Sequence, residues 1–196
     1  FFKCKLIHIS STSVYGVSSN LVNENLSEQF LKPQSPYADI KLKEEKMLKK
    51  NNINFVSLRF GTIVGASSGM RFHTAVNKFC LAVRFNRPIP VWKSAFNQYR
   101  PYLSLRDATK TLIFFINNKQ LFNNEIYNIV TNNYTVSEIL LKIKKIFKKN
   151  LKINFVNSKI MNQLSYKVNG AKIKELGLNL SNKIDLDINN TKNFLS

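Results

Sequence analysis

The alternation of apolar and polar segments predicts strands and helices in turn along the first third of the chain. The unbroken apolar run Leu6–Ile9 is typical of a strand buried in a parallel sheet. Apolar residues at helical spacing follow over 37–50, after Ser35-Pro36 as a start signal. A second apolar run, Phe55–Phe60, comes next. Strand, helix and strand joined by short turns predict a parallel α/β sheet.

The rest of the chain predicts a mixture of helices and short strands. Prolines in the segment 88–92 place that strand at the edge of a sheet, where a missing N–H is tolerated. The predicted fold is therefore α/β at the start and mixed α/β thereafter. Helices are expected over 72–85, 106–117, 136–149 and 170–176, and strands over 88–92, 126–130 and 152–156.

Composition excludes several classes of protein. With 196 residues, 44% of them hydrophobic, and only 6 Gly, 5 Pro and 2 Cys, the chain is neither disordered, collagen-like nor disulfide-dense. Apolar runs such as Leu112–Ile116 fall far short of the roughly 20 residues that a membrane span needs. We therefore expect a soluble globular protein without a membrane partner. Phe1 cannot initiate translation, so we expect the chain to be the C-terminal part of something longer.

The net charge of +19 raises the question of nucleic-acid binding. Lysines are spread along the chain, and the densest run, Lys142–Lys149, alternates them with apolar residues at helical spacing. This pattern predicts an amphipathic helix with a solvated lysine face, so we expect no nucleic-acid partner. The two cysteines, Cys4 and Cys80, lie in apolar segments and are expected to be buried free thiols. His8 and His73 are isolated, so no metal site is expected.

Tyr37 and Lys41 are candidate catalytic residues on the first predicted helix. Four residues turn a helix by about 400°, which places both side chains on one face. An ammonium group beside a phenol stabilises the phenolate, which could then act as a general base for a sugar hydroxyl. The spacing is not specific by itself, because the chain has 7 Tyr and many Lys.

Five segments, one of which contains Tyr37 and Lys41, give this spacing a context. They are Ser10–Gly16 (SSTSVYG), Ser35–Lys41 (SPYADIK), Leu58–Gly65 (LRFGTIVG), Arg100–Ala108 (RPYLSLRDA) and Ile126–Ile129 (IYNI). In their order and separation they resemble the extended short-chain dehydrogenase/reductase superfamily, and within it the NAD-dependent epimerase/dehydratase family of the UDP-glucose 4-epimerase type, which acts on nucleotide sugars. The resemblance extends from about residue 6 to 178.

The resemblance implies an architecture for the whole chain. It implies the C-terminal part of a Rossmann-type doubly wound parallel sheet plus a smaller mixed α/β substrate-binding lobe. Residues 1–66 would be the remnant of the NAD-binding domain, and residues 67–196 mainly the substrate-binding lobe. The helix 106–117 and the strand 126–130 would return to the Rossmann sheet.

The resemblance also implies roles for single residues. Tyr37 would be the catalytic base, Lys41 would hold the nicotinamide ribose, and Ser11 would hydrogen-bond the reacting sugar oxygen. Tyr37 and Lys41 would contact the cofactor together with Ser10 and Phe60. The position of Ser10 would be largely structural. Ser11 would share the substrate with three more residues, which are Thr62, Asn77 and the pyrophosphate-binding Arg100. Asp107 would orient local structure.

Departures from the family pattern bear on the reaction. Many members carry Asn where Thr62 stands, and 4,6-dehydratases usually carry Asp-Glu where Thr12-Ser13 stands. Related decarboxylases tend to carry Glu at Ser13. A site with Ser11, Tyr37 and Lys41 can move a hydride and one proton, which favours a 4-epimerase over a reductase and a reductase over a dehydratase.

The Gly-rich turn that holds the cofactor pyrophosphate in this family lies before the region where this chain begins. We therefore expect NAD to bind in a full-length form, and the sheet of the 196-residue chain to have an exposed edge. The implied partner is a nucleotide-sugar substrate, the implied assembly is a homodimer, and the cytoplasm is the default location. The alternative of another class is a non-catalytic remnant that binds a nucleotide sugar or a partner protein.

Overall fold

The computed structural model describes residues 4–18, 20–51, 53–157, 165–181 and 183–196. Its six helices over these residues are α1 Pro36–Lys50, α2 Ala75–Arg84, α3 Leu105–Asn117, α4 Val136–Phe147, α5 Ala171–Glu175 and α6 Asp185–Phe194. The ten strands are β1 Lys5–Ser11, β2 Leu21–Val22, β3 Asn54–Phe60, β4 Thr62–Val64, β5 Ile89–Trp92, β6 Tyr99–Ser104, β7 Glu125–Ile129, β8 Asn132–Thr135, β9 Ile153–Val156 and β10 Lys167–Val168.

A parallel sheet with the strand order β1-β3-β7 forms the first layer. Helix α1 connects β1 to β3, which makes these elements a β-α-β unit. In the register of the sheet, Ser11 lies opposite Phe60, and Phe60 lies opposite Ile129. The carboxyl ends of all three strands therefore meet at one edge, where parallel α/β sheets bind their ligands.

Three smaller sheets surround this layer in the described part of the chain. Strands β4, β6 and β8 form a mixed sheet, in which β4 and β6 are parallel and β6 and β8 antiparallel. Strand β5 pairs with β9, and β10 pairs with β2, both in parallel. The second of these pairs ties a segment close to the C-terminus to the loop that follows β1.

Apolar side chains form three buried clusters. One lies among α2, α4, α6 and β5 and includes Cys80 and Ile143. A second lies between the parallel sheet and helices α3 and α5, with Leu58 and Phe115 fully buried. The third packs α1 against β2, β10 and the turn after β1, around Tyr15. The last cluster lies directly beneath the carboxyl edge of β1.

The local sequence explains where α1 begins. Ser35 has extended backbone angles, and its side-chain oxygen accepts a hydrogen bond from the Ala38 N–H. Pro36 occupies the first helical position, where its missing N–H costs nothing. The helix ends at Asn51, as the break in the apolar pattern predicts. Tyr37 is thereby fixed in the first turn of the helix.

Several elements differ from those that the sequence predicts. Helix α2 begins at Ala75 rather than at residue 72, because residues 71–74 form a turn in which the Thr74 hydroxyl bonds the Arg71 carbonyl. Strands β4, β6 and β8 and helix α6 were not predicted. Strand β6 contains Pro101, but β4 pairs only with Tyr102–Ser104, so the proline lies beyond that pairing.

The prediction that both cysteines are buried is wrong for Cys4. Cys80 is buried in α2, and burial raises the pKa of its thiol to about 12. Cys4 is exposed, because it precedes β1 at the edge of the sheet and no described element covers it. None of the helices in the described residues has the length and apolar character needed to span a membrane.

Candidate active site

Ser11 lies where β1 ends and begins the 3-10 turn Thr12–Tyr15. Its hydroxyl oxygen accepts hydrogen bonds from the Ser13 N–H at 3.2 Å and from the Ser13 hydroxyl at 2.8 Å. Because Ser11 is the acceptor in both bonds, neither of them uses its own hydroxyl hydrogen, which can be donated to another acceptor. A donor to a substrate oxygen needs such a hydrogen.

Tyr37 and Lys41 lie on the same face of α1, as their spacing predicts. The Lys41 ammonium nitrogen is 6.0 Å from the centre of the Tyr37 ring. The Tyr37 side chain is 57% exposed, so its phenol is open to an incoming ligand. A phenol that is accessible and close to a fixed cation can accept and return a proton.

Lys41 is part of a chain of polar contacts that reaches into the sheet. Its ammonium nitrogen is 2.8 Å from Glu44 Oε2, and the same oxygen is 2.9 Å from His8 Nε2. His8 Nδ1 lies 2.8 Å from the hydroxyl of Ser57, which is buried in β3. The hydrogen bonds from Lys41 and His8 hold the pKa of Glu44 below its usual range. Glu44 was not predicted from the sequence.

Ser10 is buried, unlike Ser11 beside it. Its hydroxyl donates to Glu45 Oε1 at 2.5 Å, so the side chain is used for packing α1 against β1. Phe60, at the end of β3, lies opposite Ser11 in the sheet register and is half-buried. The roles of Ser10 and Phe60 at a cofactor stay predictions.

Arg100 belongs to the second sheet. It lies on β6 and is half-buried, and burial lowers the pKa of its guanidinium. Two buried tyrosines, Tyr166 and Tyr102, interact with it electrostatically. The Tyr166 hydroxyl is 3.4 Å from Thr12 Oγ1, in the turn that begins after Ser11. Tyr166 therefore links the Ser11 turn to the strand of Arg100.

No sequence pattern marks Tyr166 as a site residue. It is 154 positions from Thr12, and the pairing of β10 with β2 and the hydrogen bond from the Tyr166 N–H to the Tyr99 carbonyl hold it there. A second buried contact that the sequence does not show joins Tyr15 to Asn128, whose side-chain oxygen accepts from the Tyr15 hydroxyl at 3.0 Å. The sequence feature that points to Asn128 is its place in the IYNI segment.

Thr62 and Asn77 lie outside the contacts described so far. Thr62 begins β4 and lies opposite Tyr102 in the sheet register. Asn77 is buried in α2, where its amide nitrogen donates to the Arg71 carbonyl at 3.1 Å. Its side-chain oxygen is buried and has no hydrogen-bond partner among the described residues. No described contact joins Thr62 or Asn77 to Ser11, Tyr37 or Lys41, and their substrate roles stay predictions.

Asp107 has the structural surroundings that the resemblance implies. Its carboxylate is buried and accepts hydrogen bonds from the Thr131 hydroxyl at 2.5 Å and from the Ser181 N–H and hydroxyl. These bonds tie the start of α3 to the loop after β7 and to the segment before α6. Among the residues that the structure describes, no group of His, Cys, Asp and Glu could hold a metal ion.

The arrangement supplies a hydroxyl donor, a phenol and an ammonium group at the carboxyl edge of a parallel sheet. These groups fit the ribose hydroxyls beside the nicotinamide of a dinucleotide, because hydroxyl groups bind to fixed ammonium and hydroxyl donors. The phosphates of a dinucleotide bind to backbone N–H groups of a Gly-rich turn at a helix start. No described strand is followed by such a turn.

Solved structures that share this fold include nucleotide-sugar epimerases and a dehydratase. The chain superposes with a TM-score of 0.85 and 24% identity on UDP-glucuronic acid 4-epimerase from Bacillus cereus, crystallised with UDP-glucuronic acid and NAD. The TM-score is 0.82 at 18% identity for dTDP-glucose 4,6-dehydratase from Bacillus anthracis in complex with NAD. It is 0.80 at 19% identity for Thermus thermophilus UDP-glucose 4-epimerase in complex with NAD. The fold is therefore the Rossmann-type α/β fold of these enzymes, as expected.

The model of the NAD dependent epimerase/dehydratase family matches residues 2–130. The chain belongs to this family. In the three structures the match covers 97% of this chain and between 61% and 63% of the other chain, so the chain spans about three fifths of their length. No curated protein matches the sequence.

Proposed function

We propose that this chain carries the proton-transfer residues and the substrate lobe of an NAD-dependent nucleotide-sugar 4-epimerase. The observation that carries the proposal is the position of Tyr37. Its exposed phenol lies in the first turn of α1, with the Lys41 ammonium 6.0 Å from the ring centre. Family membership supports the cofactor and the substrate class, and the presence of Ser11 at the adjacent strand end supports the reaction.

The three residues have different tasks in this mechanism. Ser11 donates its free hydroxyl hydrogen to the oxygen on C4 of the sugar and orients it. Tyr37 takes the proton of that hydroxyl as the C4 hydrogen leaves as hydride, and returns it when the sugar has presented its other face. Lys41 stabilises the phenolate and binds the nicotinamide ribose hydroxyls. The chemistry that NAD supplies when bound is acceptance and return of the hydride.

The turn that follows Ser11 favours epimerisation over dehydration. Removal of water from a sugar needs an acid and a base in addition to the hydride chemistry. Thr12 and Ser13 occupy the positions nearest to Ser11, and neither carries a carboxylate. The Thr12 hydroxyl is hydrogen-bonded to the Phe60 carbonyl and the Tyr166 hydroxyl, and the Ser13 hydroxyl donates to the Ser11 hydroxyl. A 4-reductase remains the alternative, since it needs the same three residues.

Arg100 would bind the pyrophosphate of the nucleotide sugar. Its planar guanidinium suits phosphate oxygens, and partial burial strengthens such a contact because water screens it less. The proposal concerns a full-length form in which a Gly-rich turn holds the pyrophosphate of NAD. The proposal also includes a homodimer and a cytoplasmic location, and both of these rest on the family resemblance alone.

The test is Tyr37→Phe in the full-length form. Removal of the phenol hydroxyl takes away the proton acceptor, so we expect turnover of a nucleotide sugar to fall at least about 100-fold. Bound NAD, measured by its absorbance after denaturation, should stay at the parent level. Tyr127→Phe is the control. The Tyr127 hydroxyl accepts a hydrogen bond from the Asn123 amide nitrogen, in a buried cluster that does not contain Tyr37. Unchanged turnover in Tyr37→Phe would disprove the mechanism.

The products decide between the alternatives. A 4-epimerase yields an isomer of the substrate with no net change in NAD. A reductase consumes one reduced cofactor per product, and a dehydratase releases a 4-keto-6-deoxy sugar. A folded full-length protein that turns over no nucleotide sugar would favour the non-catalytic binding remnant.

A further inference from the structure

A buried ion pair fixes α1 to both neighbouring strands. Glu45 lies one helical turn after Lys41 and is 1% exposed, and Arg59 on β3 is 3% exposed. Two parallel bonds join them, from Arg59 Nε to Oε1 at 2.9 Å and from Nη2 to Oε2 at 2.6 Å. The hydroxyl of Ser10, on β1, donates to the same Oε1. One carboxylate thus holds the helix against β1 and β3 together.

The same guanidinium also contacts the turn that follows Ser11. Arg59 Cζ is 4.8 Å from the centre of the Tyr15 ring, and Tyr15 ends that turn. The Tyr15 hydroxyl in turn donates to Asn128 on β7. Arg59 therefore lies between the helix of Tyr37 and the turn of Ser11, and it contacts both.

Stability alone does not account for such a pair. Buried ion pairs can often be replaced by apolar side chains of similar volume without loss of stability, because desolvation offsets the attraction of the charges. Arg59 Nη1 is also buried without a hydrogen-bond partner among the described residues, which adds to the cost. What a planar bidentate pair provides is a defined distance and orientation between the elements that it joins.

We propose that the Glu45–Arg59 pair sets the position of Tyr37 relative to Ser11, and the proposal rests on the function proposed for that site. Both are positioning residues, since they act through α1 and through the Ser11 turn. Proton transfer depends steeply on the separation of the groups that exchange the proton. Binding of the nucleotide end of the substrate does not depend on this separation, so loosening the pair should lower kcat and leave KM unchanged.

The experiment compares four variants of the full-length enzyme. Glu45→Gln and Arg59→Lys each keep one partner and lose the bidentate geometry. The double variant Glu45→Met, Arg59→Met replaces the pair by apolar side chains. Arg106→Met is the matched control, since it leaves the buried carboxylate of Asp187 without its arginine, between α3 and α6. For each variant, kcat, KM for the nucleotide sugar and Tm are measured.

We expect kcat to fall at least tenfold in both single variants, with KM within twofold of the parent. The double variant should regain Tm relative to the single variants and not regain kcat. The control should lose Tm and keep kcat. Parental kcat in the double variant, or an equal loss of kcat in the control, would show that the pair is only structural.

A second measurement on the 196-residue chain separates this proposal from the proposed function. Glu45→Gln should raise amide hydrogen exchange at least tenfold in both the first turns of α1, over 38–42, and the turn over 13–15. Arg106→Met should leave these amides unchanged. Faster exchange in α1 without any change at 13–15 overturns the coupling, even if no nucleotide sugar is ever turned over.

Discussion

Adjacent residues on α1 have opposite environments at the scale of the single side chain. Glu45 is buried and bound to Arg59, whereas the Glu44 side chain is 39% exposed and bound to Lys41 and His8. Helical geometry places them about 100° apart, so Glu45 reaches Arg59 on β3 whereas Glu44 lies beside His8 on β1. Glu44 thereby becomes the partner of the proposed catalytic lysine.

This contact predicts how Glu44 titrates. The hydrogen bond from Lys41, then that from His8, lowers the pKa of Glu44. A lowered carboxyl pKa contributes stability above the unfolded-state pKa, and this contribution is lost as pH falls through the folded-state pKa. Lys41→Met should therefore raise the pKa of Glu44 toward its ordinary value, as followed by the carboxyl carbon resonance in an NMR titration.

Lys43→Met is the control for this titration. Lys43 lies on the same helix, and its ammonium nitrogen contacts Asp39 at 2.7 Å. The titration of Glu44 should be the same in this variant as in the parent chain. An equal shift in both variants would show that general charge, and not the Lys41 contact, sets the Glu44 pKa.

At the residue scale, the sequence indicates the candidate residues that lie in short motifs and does not indicate their buried partners. Ser11, Tyr37 and Lys41 lie in short segments with fixed spacing, which a single sequence displays. Arg59 and Tyr166 are recognisable only through what they contact, and those contacts are 14 and 154 positions away. No local pattern encodes such distances.

Helix α1 is the element on which the candidate site depends. Its start is fixed by the Ser35 side chain, which accepts from the Ala38 N–H at 3.2 Å. Ser35→Ala should remove this cap and lower the free energy of unfolding by about 1 kcal/mol, as measured by urea denaturation. Ser35→Asp should retain most of the stability, because aspartate caps a helix in the same way.

Ser27 offers a control for the capping prediction. It precedes the 3-10 turn Glu28–Phe30 and makes no side-chain cap hydrogen bond. Ser27→Ala should leave the unfolding free energy unchanged within about 0.5 kcal/mol. If Ser27→Ala lowered the free energy of unfolding as much as Ser35→Ala does, the effect would come from replacing a serine and not from losing the cap.

Elements with strong local signals were predicted, and those without them were not. The strands Lys5–Ser11 and Asn54–Phe60 and the helices α1 and α3 match their predicted bounds within about two residues. Helix α6 has a largely polar sequence and is stabilised by packing of Ile188 against α2 and α4. Strand β6 contains a proline, and only its two neighbouring strands make it a strand.

At the scale of the whole molecule, β1 is one of the two edge strands of the parallel sheet in the described part of the chain. Leu6 and Ile9 on this strand are 39% and 38% exposed. An unpaired edge strand with exposed apolar residues pairs readily with another chain. We therefore expect the 196-residue chain to self-associate as its concentration rises, as measured by sedimentation velocity.

Ile9→Lys should shift this association to higher concentration, because a charge on an edge strand opposes pairing. Leu186→Lys is the matched control, since Leu186 is similarly exposed but lies on α6. Association that is equally weakened by both substitutions would show that net charge, and not the β1 edge, controls it.

The sequence alone determined the class of fold, the β-α-β unit, the helix start at Ser35 and the placement of Tyr37 and Lys41 on one helix face, because apolar periodicity, capping and short motifs are local properties. Only the tertiary structure decided that Glu45 and Arg59 meet beneath the candidate site. It also decided that Tyr166 links the Ser11 turn to Arg100, that Cys4 is exposed, and that α6 and β6 form at all. Each of these depends on contacts between distant segments, whose energies appear only when the sheets and helices have packed.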